Sequence, residues 1–193
     1  MSVPKGHALI LAALAACLPV HAQDQPPDAD TRQTSYVMQL FRETCGAHFA
    51  FPAKIAEVVK KYGFPANPSY RAELLHGKRG QVWDASAGGG SPVALVLIEA
   101  GGLSCQVHAR NIDADLLQRR FRTLMEGIQS PDITVEKYDQ RRVPQGDVTL
   151  EQTGYFMMQR EWPIGWSFSL TTSTPANGAW QASFIVAAAR KAP

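Results

Sequence analysis

Charge is scarce in this 193-residue chain. Asp, Glu, Lys and Arg together make up 19% of it, and the formal net charge is +2. A nucleic-acid-binding surface needs a basic face or stripe, so nucleic acid is not an expected partner. Long apolar runs are missing from the body of the chain as well. Val93–Ile98 and Phe184–Ala189 are strand-sized, far short of the roughly 18 residues that point to a membrane span. Catalytic signatures are absent too: no serine sits in a G-x-S-x-G turn, and no H-E-x-x-H is present. The Gly88-Gly-Gly90 loop has neither a following Lys-Ser/Thr nor a G-x-G-x-x-G frame, so it reads as a linker rather than a phosphate cradle. What remains is an ordinary folding composition, 45% hydrophobic, at a length that suits one domain.

The first 22 residues, MSVPKGHALILAALAACLPVHA, read as a secretory signal peptide. Lys5 opens it. Ala8–Leu18 supplies an apolar stretch too short to cross a bilayer, and Val20-His21-Ala22 forms a cleavage site before Gln23. A second reading uses the same residues. Leu14-Ala15-Ala16-Cys17 matches a bacterial lipobox, in which Cys17 carries lipid and becomes the mature N-terminus. That lipid is the single membrane attachment the sequence offers. Both readings place the protein outside the cytoplasm; the soluble form belongs in the periplasm of a Gram-negative bacterium. Residues 23–31 follow as a polar, flexible linker, and 32–193 form a single domain. Lys5 is the one charged residue of 1–22, so the remainder keeps 18 basic against 17 acidic residues, a net charge of +1.

Within the domain the apolar spacing is helical at first and then alternating. Val37, Leu40, Phe41 and Cys45 mark one face of a helix over Thr34–Cys45, and Ile55, Val58, Val59 and Tyr62 mark a second over Pro52–Tyr62. A short helical turn is expected at Tyr70–Leu75. Gln81–Asp84 reads as a short strand. Val93–Glu99, largely apolar, reads as a central strand covered on both faces. Leu103, Cys105, Val107 and Ala109 alternate with Ser104, Gln106 and His108 in a half-buried strand. Asp113 caps a helix to about Gly127, with Leu117, Phe121, Leu124 and Ile128 inward. Strands are then expected over Ile133–Tyr138, Val148–Gln159, Trp166–Thr172 and Trp180–Ala188. Helices, a hairpin, a helix and an antiparallel meander in that order predict an α+β fold: a mostly antiparallel sheet of six to seven strands with helices packed on one face.

Cys45 falls on the apolar stripe of the first helix and Cys105 on the apolar face of its strand. Both sulfurs are therefore expected in one core, paired as a disulfide. Closing a loop of about 60 residues contributes about 4 kcal/mol in the chain-entropy model. Cys45-Gly-Ala-His48 and Cys105-Gln-Val-His108 also spell a zinc set of two cysteines and two histidines. Against it, residues three apart on a strand face opposite ways, so Cys105 and His108 cannot share a metal without a bulge. No metal, no cofactor and no catalytic residue is expected. His108 reads as solvent-facing, and His76 as part of a polar turn. Arg119, Arg120 and Arg122 have the spacing of a solvated helix face, with binding of phosphate or of an acidic partner as the alternative. Trp166 is in phase with Phe168 and Leu170 and belongs to the core. Trp162 is the freer of the two tryptophans and the candidate contact for a protein partner.

The helix ending Phe41-x3-Cys45, the strand Cys105-Gln-Val-His-Ala109 and the segment Asp115-Leu-Leu-Gln-Arg-Arg-Phe121, behind an exported N-terminus, resemble a small secreted or lipoprotein family of Gram-negative bacteria, the meningococcal type among them. The resemblance spans about the middle half of the chain. It implies an envelope location and this fold, and no activity. The expected role is a non-catalytic binding or accessory module with an envelope protein as partner. One alternative is an inhibitor or immunity-type protein acting on an envelope enzyme through a protruding loop at 159–165. The other is an envelope hydrolase built on His48, His76 and a carboxylate.

Overall fold

The computed structural model describes residues 28–87, 90–99, 102–160, 162, 164–176 and 180–189. The leader, Cys17, the cleavage site at Ala22 and the first half of the linker lie outside the described residues. In chain order the elements are α1 (Ala29–Phe41), a π-helical turn (Arg42–Gly46), α2 (Pro52–Tyr62), α3 (Pro68–Leu75), β1 (Gly80–Asp84), β2 (Val93–Ile98), β3 (Ser104–Ala109), α4 (Ala114–Glu126), β4 (Ile133–Gln145), β5 (Val148–Gln159), β6 (Gly165–Thr174) and β7 (Ala182–Ala189). The fold is α+β. Seven strands form one antiparallel sheet in the order β1-β2-β3-β7-β6-β5-β4. It consists of two meanders. α4 carries the chain from β3 to the far edge at β4, and β7 returns to pair with β3.

Two boundaries differ most from the sequence expectation, the others by one or two residues. α1 begins at Ala29, inside the stretch read as linker, because the Asp28 carboxylate accepts from the Thr31 amide at 2.7 Å and Asp30 sits in the first turn. β4 runs on to Gln145, well past Tyr138. Its second half is polar and exposed, so no alternation marks it. Pro144 is tolerated because β4 is an edge strand. Gln145 pairs with Val148 across a two-residue turn in which Gly146 adopts φ 60°.

The main core lies between the helices and one face of the sheet. Phe41 of α1 stacks on Phe184 of β7 at 4.3 Å, and Phe121 of α4 meets Phe41, Phe184 and Tyr155 edge-on at 6.2, 5.5 and 5.7 Å. The inward row of α4 is Leu117, Phe121 and Met125, while Leu124 and Ile128 are half-buried at its margin. Gln118, 1% exposed, is satisfied at both ends: its amide donates to Glu151 O and Thr172 Oγ1, and its carbonyl accepts from Thr153 Oγ1. Cys45 in the π turn is bonded to Cys105 in β3, with a Cα separation of 5.3 Å. One helix lies on the other face. α3 sets Leu74 and Leu75 against Val82, Ala94, Val96 and Ile98.

Candidate functional site

With Leu117, Phe121 and Met125 committed to the core, α4 turns its arginines outward to two flanks of different character. On the β4–β5 flank the cations are matched. Glu151, whose side chain is 18% exposed, meets Arg122 Nη1 at 3.3 Å and Arg142 Nη2 at 3.0 Å. Arg142 also lies 3.9 Å from Asp115, and Arg141 lies 3.4 Å from Asp139.

The other flank is a solvent-open groove of about 1200 Å³ between α1, α2 and α4. Four cations line it: Arg42 at the end of α1, Lys61 near the end of α2, and Arg119 and Arg120 of α4. Arg119 stands on the ridge between the flanks and also lines the hollow on the β4–β5 side, together with Asp115 and Glu151. Glu43 is the one carboxylate among its lining residues. Glu43 is already engaged, since it accepts from the Tyr62 hydroxyl and, at 2.8 Å, from Gln39 Nε2. The Tyr62 bond above all, and then the Gln39 bond, hold its carboxyl below the ordinary carboxylate range, so it stays ionised. Arg120 donates to Ser35 Oγ at 2.8 Å, and the Lys61 ammonium lies 5.3 Å from the Tyr62 ring centroid. Among the described residues, the guanidinium groups of Arg42 and Arg119 have no hydrogen bond or ion pair.

The floor of this groove is apolar. Met38, Val58, Leu124 and Ile128 form it, and past Ala47 it adjoins a recess of about 150 Å³ bounded by Phe41, Met125 and Phe168. The site thus joins an excess of cations over carboxylates to a small apolar recess. Among its described lining residues, no hydroxyl is hydrogen-bonded to His48. His48 lines the groove, but His76 lies at the end of α3 on the opposite side of the sheet, exposed and with φ 48°. The two histidines of the hydrolase alternative are therefore not brought together. Both sulfurs of the zinc alternative are taken by the disulfide. Trp162 is half-buried against the main core, and its backbone amide donates to Gln159 O at 3.0 Å. Trp166 is core, 5% exposed.

His108 requires a correction. It faces away from Cys105, as strand parity dictates, but it is buried rather than solvent-facing. Nδ1 lies 2.9 Å from Ser183 Oγ, and Nε2 lies 2.9 Å from Gln106 Oε1. A carbonyl oxygen only accepts, so Nε2 carries the proton and Nδ1 accepts from Ser183. The half-buried Trp180 covers the ring at 5.8 Å, packs edge-on to Tyr70 at 5.1 Å and donates through Nε1 to Glu73 at 2.8 Å. Arg110 lies over the Trp180 ring at 4.9 Å. Burial first, and the neighbouring His76 second, push the His108 pKa down to about 4, so the imidazole is neutral at physiological pH.

Sequence reasoning singled out Arg119 and Arg120 but missed Arg42, Lys61, Glu43 and Tyr62. Within its own helix each charge occupies an ordinary solvated position. Only the packing of three helices shows that they converge. No family model, no curated protein and no solved structure matches the chain.

Proposed function

We propose that the protein is an exported, non-catalytic binding module of the bacterial envelope, and that the groove between α1, α2 and α4 is its binding site. The observation that carries this reading is the charge left over in the groove. Four cations face one carboxylate there, and that carboxylate is held by Tyr62 and Gln39. On the opposite flank of the same helix, Glu151 and its neighbours neutralise the arginines. A folded surface gains nothing from gathering unpaired like charges, whereas a complementary anionic partner gains attraction and orientation from them.

Export is supported by the signal-peptide pattern of residues 1–22 and by a disulfide, which persists in oxidising compartments. The mature chain then begins at Gln23; the lipobox alternative begins it at a lipidated Cys17. The mass of the mature N-terminal peptide separates the two.

Binding is tested in the full chain, expressed with its leader in a Gram-negative host. A benzoylphenylalanine photo-crosslinker replaces Arg119 in the groove or Ser169 on the other face of the sheet. A discrete adduct from position 119 and none from 169 is the expected result. No adduct from 119, or turnover of an envelope ester, amide or glycoside that His48→Ala abolishes, overturns the reading.

A further inference from the structure

The groove restricts the chemistry of its occupant, and three observations converge on it. The first is charge. Arg42 and Arg119 carry forked guanidinium donors suited to bidentate carboxylate binding, and neither makes a hydrogen bond or ion pair among the described residues, although Arg42 and Lys61 both act on the Glu43 carboxylate through space. The second is the recess. At about 150 Å³ it equals roughly five waters of liquid volume; an apolar cavity of about this size admits a benzene ring. One apolar side chain fills it. The third is extent. The groove, at about 1200 Å³ and open to solvent, exceeds the roughly 300–1,000 Å³ typical of a small-molecule site.

We infer that the groove takes an acidic peptide segment of a partner protein, whose carboxylates meet Arg42, Lys61 and Arg119 and whose single aromatic or leucine-sized side chain enters the recess beside Phe41 and Phe168. This rests on the binding-module reading and names the partner's chemistry. The charges steer and orient the segment, and the buried anchor sets how long it stays. A bare polyanion meets the charges and leaves the recess empty.

The probe is an array of acidic peptides, Glu- and Asp-rich on both sides of a central position that is varied through all residues. It is read with the exported, oxidised protein. Solution affinities follow for the Phe-centred and Ala-centred members by fluorescence polarisation. The Phe, Leu and Met peptides are expected to bind, and the Ala peptide to bind about tenfold more weakly or worse. Raising salt from about 0.05 M to about 0.5 M weakens all of them. Arg119→Glu and Arg42→Glu each cut affinity about tenfold or more with the fold retained by circular dichroism, since neither guanidinium makes a hydrogen bond or ion pair among the described residues. Ala47→Leu, at the exposed mouth of the recess, abolishes the preference for Phe over Ala and spares the salt dependence. Indifference to the central residue, indifference to charge reversal, or binding of phosphatidylglycerol vesicles in place of the peptides overturns the inference. If no peptide binds while the crosslinker at position 119 still yields its adduct, the peptide inference falls and the binding-module reading stands. If both fail, both fall.

Discussion

On the helical face of the sheet, Phe41, Phe121 and Phe184 meet between helix and strand, and the Cys45–Cys105 bridge ties that layer down. On the other face one short helix, α3, covers β1 and β2, and Trp180 covers His108. Towards β6 and β5 that face is a half-buried mixture of Ser167, Ser169, Thr171 and Phe156. The same strands present both faces, so the difference comes from what packs on them. Stability is concentrated under the helices, in apolar contact and a covalent link. The outer surface of that layer carries the excess of cations, and the groove lies there.

Adjacent residues of β7 sharpen the contrast most. Phe184 is fully buried on the helical face, and Ile185 is half-buried on the other. Phe184→Ala is expected to cost about 4 to 5 kcal/mol, since it opens a cavity between Phe41 and Phe121, and Ile185→Ala about 1 kcal/mol. Urea unfolding of the two variants measures the difference, and equal losses would break the comparison. The staple comes next. Reduction, Cys45→Ala, Cys105→Ala and the double variant should each cost about 4 kcal/mol, the double no more than either single. In calorimetry this lowers the melting temperature by about 10 °C. Two free thiols found by alkylation under denaturing, non-reducing conditions would refute it.

The helical face was the more legible one. Helical spacing placed Phe41 and Cys45 inward, alternation did the same for Cys105, Phe168 and Leu170, and the two periodicities met at the disulfide. The other face was misread at His108 because alternation reveals on which side a residue stands, not whether that side is covered. Its cover comes from Trp180 and α3, distant in sequence from β3 and without a strong periodic signature. The late half of β4 carries no alternation because Asp139–Gln145 is polar apart from the exposed Val143 and the edge-strand Pro144. The groove was only partly legible. Arg119 and Arg120 stood out on α4, but Arg42 and Lys61 join them only through packing.

The covered end of the second face should show itself in pH dependence. The His108 pKa is down to about 4 in the folded protein, against about 6.5 in an unfolded chain. Between those values the unfolded chain binds the extra proton, so stability is complete above about pH 6.5 and is lost as pH falls towards 4. A slope of about 1 kcal/mol per pH unit is expected in that window by urea unfolding, and His108→Gln should flatten it. A slope that survives the substitution would assign it to other groups.

Smaller effects separate the two flanks of α4. Glu151→Gln weakens the hold on Arg122 and Arg142 and should cost about 1 kcal/mol. Arg119→Glu on the groove flank should change stability by less than about 0.5 kcal/mol. Thermal melts of the pair give the comparison, and a destabilised Arg119→Glu would mean that this arginine has a structural role.

Amide chemical-shift mapping of the protein titrated with the Phe-centred acidic peptide tests the central claim most directly. The account expects the perturbations to gather at Arg42, Ala47, Arg119, Leu124 and Ile128, around the groove and its recess. Perturbations centred on His108, Ser169 and Ile185 on the other face, or spread along the β4–β5 hairpin, would contradict it.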